Sequence, residues 1–146
     1  MKAGNNAVLV LTDNGGTPTA RTLTSYVRSL DINFKGHALV DVTTMGSSGH
    51  KWASDELEDN TFSVEFMYDS SANTVFDTLF GATAGLRTAT VARAFEIGPE
   101  GSTAAMPKFT GNCFLEDVTM PVAVGDMITV SATFKVDETV TVGVYS

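Results

Sequence analysis

Two histidines and a short acidic run are the residues of this chain best suited to acid–base or metal chemistry. His37 and His50 are the only histidines, and residues 55–59 contain four carboxylates. Imidazole and carboxylate groups bind metals or transfer protons when their spacing brings them together. Here the histidines lack zinc-site spacing, and the acidic run lacks the alternating ligands and fixed glycine of a calcium loop. We therefore predict no metal, no cofactor and no catalytic residue.

Other reactive patterns are equally weak. Residues 46–49 read Gly-Ser-Ser-Gly, but the Lys and Ser or Thr of a phosphate-binding loop do not follow. No serine lies in a nucleophile-elbow motif. Cys113 is the only cysteine, so no internal disulfide can form, and its strand-like surroundings predict a small buried side chain. The sequence thus predicts a protein that is not an enzyme, folded in a reducing cytoplasm.

The charge distribution argues against recognition of nucleic acid. The formal net charge is −8. Residues 41–77 hold eight acids against one base, whereas residues 1–40 hold four bases against two acids. Binding to DNA or RNA depends on neutralising phosphates with Lys and Arg, so we expect no specific binding. No apolar run approaches the roughly 18 residues of a membrane helix, and the first five residues lack signal-peptide features.

A long polar segment joined to a core strand organises the elements around these residues. Residues 36–59 show neither helical nor strand periodicity over most of their length, and we call this segment the arm. The strand predicted after it, residues 60–68, has Phe62, Val64 and Phe66 on one face. Segments of this length without regular structure are usually functional or disordered. Within the arm, Val40 and Val42 alternate with polar residues, which predicts a short strand or hairpin.

Alternation predicts most of the remaining chain to be strands. Residues 7–12, 21–34, 89–97, 109–118, 127–136 and 139–144 each read as a strand, with Gly111 marking a bulge or a close backbone approach. Residues 71–81 have apolar residues at helical spacing and predict one short helix, capped by Ser70 or Ser71 and stopped by Gly81. The predicted fold is mainly β: an antiparallel sandwich or open barrel of about seven strands with one flanking helix, as one domain over residues 1–146.

Short phrases of the sequence occur in an order seen in one family. They are LDINF at 30–34, DVTTMG at 41–46, LEDNTFSVEF at 57–66, FEIGP at 95–99, GNCFL at 111–115 and VGD at 124–126. This order resembles the major tail tube proteins of long-tailed bacteriophages, the non-contractile kind especially. The resemblance covers roughly residues 21–140 and rests on layout and short phrases, not on a catalytic motif.

The resemblance implies a structural virion protein. Its fold would be a sandwich with one helix on its flank, assembled as six-membered rings stacked into a hollow tube. The loop matching residues 36–59 would reach a neighbouring subunit or the next ring. The implied partners are further copies of the chain, a tape measure protein, and tail terminator and distal tail proteins. DNA would pass through the lumen during ejection without specific binding, with no membrane involved. The protein would be made in the bacterial host cytoplasm and end in the virion tail.

Physical arguments agree with a tube and nominate residues for it. A sheet with open edges must pair or cover them, and ring closure pairs them. An acidic wall rich in Thr and Ser repels phosphates and lets DNA slide. For the lumen face we nominate Glu65, Thr129, Ser131, Thr133 and Lys135. For subunit contacts we nominate Val40, Val42, Thr43, Thr44, Met45, Trp52 and Leu57.

Alternatives stay open at this point. Trp52 either folds the arm onto its own domain or anchors it in a neighbouring subunit, where Trp is enriched. A related tube subunit, such as that of a type VI secretion system, would share the same features. A monomeric adhesion or decoration module is a second alternative. A barrel that binds an apolar ligand is a third, which the Thr- and Ser-rich strand faces disfavour.

Overall fold

The computed structural model describes residues 7–35, 39–46, 48–54 and 59–146. Nine strands form in the described chain: β1 Val8–Thr12, β2 Ala20–Thr22, β3 Val27–Phe34, β4 Leu39–Asp41, β5 Trp52–Ser54, β6 Asn60–Met67, β7 Arg93–Gly98, β8 Pro107–Thr119 and β9 Thr129–Val144. The described chain also contains one α-helix, α1, at Val75–Phe80, and short 3₁₀ helices at Thr24–Tyr26 and Leu86–Thr88.

Seven strands make one antiparallel sheet in the order β2-β1-β7-β8-β9-β6-β3, and β4 and β5 make a separate pair. The sheet curls into a half-barrel, because Phe62 of β6 packs 4.9 Å from Phe95 of β7, ring centre to ring centre, although β8 and β9 lie between them in the sheet. The predicted mainly-β fold, a sandwich or open barrel of about seven strands with one helix, is thereby confirmed in its open-barrel form.

The long hairpin of β8 and β9 divides the sheet into two halves. The lower half contains β3, β6, residues 129–135 of β9 and residues 114–119 of β8. The upper half contains β2, β1, β7 and the remainder of the hairpin. Register shifts mark the bend: Glu116 is an extra residue in β8, and β9 has extra residues around Glu138, whose φ of 63° is left-handed.

A single apolar core lies inside the curl. Alternate residues of β6 and β9 face it, among them Phe62, Val64 and Phe66, as the alternation predicts. Phe62 stacks on Phe134 of the neighbouring strand at 4.9 Å. Cys113 is buried there, and burial raises the pKa of its thiol to about 12. This confirms the predicted role of Cys113 as a small buried side chain.

Four predicted boundaries are wrong, the first being the strand predicted at 89–97, which begins at Arg93. Residues 21–34 are not one strand, because the 3₁₀ helix Thr24–Tyr26 separates β2 from β3. The strands predicted at 127–136 and 139–144 are one continuous strand, β9. The helix begins at Val75 instead of residue 71, since Asn73 has a left-handed φ of 63°. Its N-cap is therefore Thr74, and the predicted caps Ser70 and Ser71 are wrong.

Both predicted glycine positions hold, for reasons of space. Gly81 follows the last helical residue, and a Cβ there would lie 2.4 Å from the carbonyl oxygen of Asp77. At Gly111 a Cβ would lie 3.1 Å from the Phe95 ring and 3.2 Å from the Thr139 carbonyl oxygen. A side chain at position 111 would therefore crowd the Phe95 ring and the Thr139 backbone at the bend of the hairpin.

Candidate assembly surfaces

The described part of the arm is a β-hairpin. Leu39, Val40 and Asp41 pair antiparallel with Ser54, Ala53 and Trp52. The N–H of Val42 extends the ladder by donating to the carbonyl of Lys51 at 2.9 Å. The predicted short strand or hairpin at Val40 and Val42 is confirmed.

A polar clasp closes the arm between its two strands. The Asp41 carboxylate accepts hydrogen bonds from the hydroxyl and the N–H of Thr43, and its Oδ2 lies 3.3 Å from His50 Nδ1. The Thr43 hydroxyl accepts a bond from the N–H of Lys51 at 2.9 Å. The hydroxyl and the N–H of Thr43, and to a smaller extent His50, hold the pKa of Asp41 below its ordinary value. The clasp fixes the shape of the hairpin in a solvent-exposed position.

The clasp is not a catalytic triad. Both the Asp41 carboxylate and the Thr43 hydroxyl approach the same nitrogen of His50, Nδ1. A triad needs the acid on one ring nitrogen and the nucleophile on the other, so that the imidazole can relay a proton. Among the described residues no three His, Cys, Asp or Glu side chains group as metal ligands. The geometry of the clasp therefore favours a structural role for it.

Large apolar side chains of the arm face solvent. Met45 is fully exposed, Trp52 is 58% exposed, and Val42 is exposed as well. The Trp52 ring lies against the His50 imidazole, with 6.2 Å between ring centres. Thr43 and Thr44 are exposed beside them. Of the other predicted contact residues, Val40 is described by its backbone alone and Leu57 lies outside the described residues.

The residues nominated for the lumen share the outward side of the lower half. Register places Glu65 beside Ser131, and the neighbouring rows pair Met67 with Thr129, Ser63 with Thr133 and Thr61 with Lys135. The inward residues between them, such as Val64 and Ala132, are buried. Glu65, Thr129, Ser131, Thr133 and Lys135 therefore form one continuous polar surface, which we call the outer face.

The outer face is only weakly acidic. Asp31 of β3 and Asp117 of β8 lie in one row with Ser63 and Thr133, and Glu65 lies in the next row. Arg28 lies 3.3 Å from Glu65, and Lys135 lies 3.6 Å from a fourth acid, Asp59, so two cations accompany four acids. The acid excess expected for a lumen wall is small on this surface, and small uncharged side chains dominate it.

The sequence predicts open strand edges without locating them, and it does not single out one exposed apolar loop. Among the described residues, no strand pairs with the outer side of β3 or with residues 114–119 of β8 beyond the part that pairs with β7, so the lower half has two open edges there. In addition, Val122, Val124 and Met127 of the loop between β8 and β9 are exposed. The sequence signal for the loop is three apolar residues around a Gly-Asp turn, a place where polar residues are usual.

No protein-family model and no curated protein matches the sequence. Solved structures do match over the whole chain. A chain from the tail of an empty gene transfer agent particle with C6 symmetry superposes with a TM-score of 0.71 at 12% identity, over 98% of this chain and 99% of that chain. A chain from the virion of the native gene transfer agent particle gives 0.70 at 11% identity, with the same coverage.

A more distant match comes from an extracellular contractile injection system. A chain of its sheath–tube complex in the extended state gives a TM-score of 0.65 at 9% identity, over 99% of this chain and 92% of that chain. No helix in the described part of the chain is long and apolar enough to cross a membrane. The structural matches together show that the protein has the fold of chains found in gene transfer agent tails and in the sheath–tube complex of a contractile injection system.

Proposed function

We propose that the protein is a structural subunit of a tail tube, one domain over residues 1–146 that polymerises as stacked rings. One observation carries this proposal: the end-to-end fold match to a chain from a C6-symmetric tail, covering 98% of this chain and 99% of that chain. By this proposal the protein is not an enzyme and resides in the virion tail. Six subunits would form each ring.

The open edges of the lower half supply the contacts within a ring. β3 is an eight-residue strand that pairs with a strand of the described chain on one side only, and residues 114–119 of β8 form the edge at the opposite side of the same four strands. Unpaired edges readily accept another strand. Pairing β3 of one subunit with β8 of the next is a head-to-tail contact, which closes into a ring. The four-stranded units would then join into a continuous barrel.

The outer face would line the lumen of that barrel. Its side chains are small and polar between few charges, so they offer DNA neither a basic groove nor stacking platforms. DNA would pass during ejection without specific binding, and a tape measure protein would fill the lumen beforehand. Terminator and distal proteins would close the ends of the tube, in keeping with the match to a sheath/tube terminator complex.

The arm would hold rings together. It is a clasped hairpin with exposed Met45 and Trp52, and such side chains are common at the centres of interfaces. The test is removal of residues 43–53, replaced by two glycines. We expect a folded monomer by circular dichroism that forms no tubes in negative-stain images, whereas the wild type forms tubes. Normal tubes from the shortened chain would refute the role of the arm, and a wild type that stays monomeric at high concentration would refute the tube.

A second candidate is a tube subunit of a contractile injection system, favoured by the match to a sheath–tube complex. Both candidates form tubes, so the outside of the tube separates them. A tube from a contractile system binds a sheath of a second protein, and a non-contractile tail tube is bare. Imaging the native particle would show which of the two arrangements holds.

A further inference from the structure

The loop between β8 and β9 presents apolar side chains on a built turn. Val122 is 67% exposed, Met127 is 65% exposed and Val124 is fully exposed. The N–H of Asp126 donates to the carbonyl of Ala123 at 3.3 Å, and Gly125 has a left-handed φ of 86°. The loop is also tied to β6, since the N–H of Tyr68 donates to the carbonyl of Ile128 at 3.2 Å. These contacts shape the loop without covering its apolar residues.

This loop and the arm lie at opposite ends of the lower half. The arm leaves the sheet where Phe34 pairs with Asn60. The loop leaves it at the other end, where Met67 pairs with Thr129 and Thr119 pairs with Ser131. An eight-residue strand such as β6 is about 26 Å long. A subunit that repeats along the strand direction therefore brings its arm end to the loop end of the next copy.

The two ends are complementary in character. The arm offers Met45 and Trp52 together with the exposed cation Lys51. The loop offers Val124 and Met127 together with the exposed anion Asp126. Contact between these apolar side chains would remove them from water, and Lys51 and Asp126 would place opposite charges at the rim of the contact.

We infer that the β8–β9 loop is the acceptor for the arm of a second copy of this chain in the next ring. This inference rests on the proposed tube function and identifies the surface that the arm binds. The contact is heterologous, since an arm binds a loop and not another arm, so it propagates along an axis without limit. Met is adaptable in packing, and the clasp holds Trp52 on a preformed hairpin, which reduces the entropy lost on binding.

Disulfide trapping tests the contact directly. The double variant Met45→Cys, Val124→Cys is assembled and oxidised in two separate samples. In one it is mixed with an excess of wild-type chain, and in the other it is assembled alone. A disulfide needs Cα atoms within about 7 Å, so it forms only where the two positions meet. The buried native thiol of Cys113 is present in all samples and serves as background. Each single variant is the matched control and should give no specific cross-link.

The length of the cross-linked products distinguishes an axial contact from a contact within a ring. An axial contact in tubes of the double variant gives a non-reducing gel ladder that continues past the number of subunits in one ring. A contact between neighbours within a ring gives a ladder that stops at that number. We expect the long ladder. The inference would be overturned if wild-type tubes form normally and the double variant gives no ladder, or a ladder that ends at one ring. The proposed function would still stand in that case.

Charge substitution provides an independent readout. Val124→Asp should leave the monomer folded by circular dichroism and abolish tube formation, and adding Met45→Lys should restore tubes by pairing opposite charges. Thr90→Asp, at an exposed position outside the loop, is the matched control and should polymerise normally. Polymerisation of Val124→Asp at the wild-type rate would refute the acceptor role. Failure of the wild type itself to polymerise would refute the proposed function, and the inference with it.

Discussion

The Arg21 side chain is largely buried and contacts three polar side chains. Its guanidinium lies 2.8 Å from Asp13 and 3.2 Å from Asp77, and it also donates to the hydroxyl of Thr78 at 3.3 Å. Only 9% of the Arg21 side chain and 5% of the Asp13 side chain are exposed. Arg21 thereby joins the turn after β1 to the helix, two parts of the chain 64 residues apart at Asp13 and Asp77.

Replacing Arg21 with Met should destabilise the monomer strongly. The change leaves Asp13 buried without its cation, which typically costs about 3 kcal/mol of unfolding free energy. The matched control is Arg28→Met, which removes an exposed pair with Glu65 and should cost less than about 1 kcal/mol. Urea denaturation of the monomers measures both. Equal losses for the two variants would contradict the assignment of the buried pair.

Asp13 gives the fold a pH dependence at its acid side. Burial opposes ionisation of this carboxyl, but the N–H groups of Gly15 and Thr19 and the Arg21 guanidinium outweigh it, so the pKa of Asp13 lies below 3.8. A lowered folded pKa contributes stability above the unfolded value, and this contribution is lost as pH falls through the folded pKa. The stability difference between wild type and Asp13→Asn should therefore shrink when pH drops from 7 to below 3.8. A constant difference in urea denaturation across that range would contradict this prediction.

At the scale of elements, alternation in the sequence predicts the strands that pair with another strand on each side. In β6 and the first half of β9, successive side chains alternate between core and solvent, so the period of two is visible in the residues themselves. The same alternation identifies the outer face, because Ser131 and Thr133 must point away from Val130 and Ala132. The hairpin of the arm was predicted from Val40 and Val42 in the same way.

Elements set by distant contacts could not be predicted. Leu23 is buried and its N–H donates to the carbonyl of Leu9, which holds the chain in the turn that separates β2 from β3. The residues next to Leu23 in the sequence do not indicate that Leu9 is its partner. The acceptor loop was missed for a related reason. Its opposition to the arm follows from the register of Met67 with Thr129, and register is a long-range property of the sheet.

Phe62 connects the two halves of the curled sheet. Its ring stacks on Phe134 of the adjacent strand and meets Phe95 across the core, both at 4.9 Å. Phe62→Ala should lower the unfolding free energy by about 3–5 kcal/mol, since the cavity lies where the halves meet. Phe76→Ala is the control of the same chemistry at a partly exposed position on α1 and should cost clearly less. Thermal or urea unfolding compares the two variants, and similar losses would show that Phe62 does not join the halves.

At the scale of the whole molecule, the proposed tube turns one face of each subunit into a wall. Counting Asp59 beside Lys135, the outer face carries four acids and two bases, a modest acid excess. A wall that lets DNA slide therefore depends more on the absence of a basic track than on strong repulsion. The small hydroxyl side chains of β9 hold the central position on this wall.

Adding cations at that position should convert the conduit into a DNA-retaining tube. Ser131→Lys with Thr133→Lys places positive charge on adjacent outward positions of β9, where each phosphate neutralised releases counterions and favours binding at low salt. Tubes of this variant assembled with short DNA should protect it from nuclease, and protection should fall steeply as salt rises. Thr139→Lys with Thr141→Lys carries the same charge on the upper half of the same strand, so any DNA bound there should remain open to nuclease. If the Ser131 and Thr133 variant forms tubes but its DNA is digested as readily as that of the control, the outer face does not line the lumen.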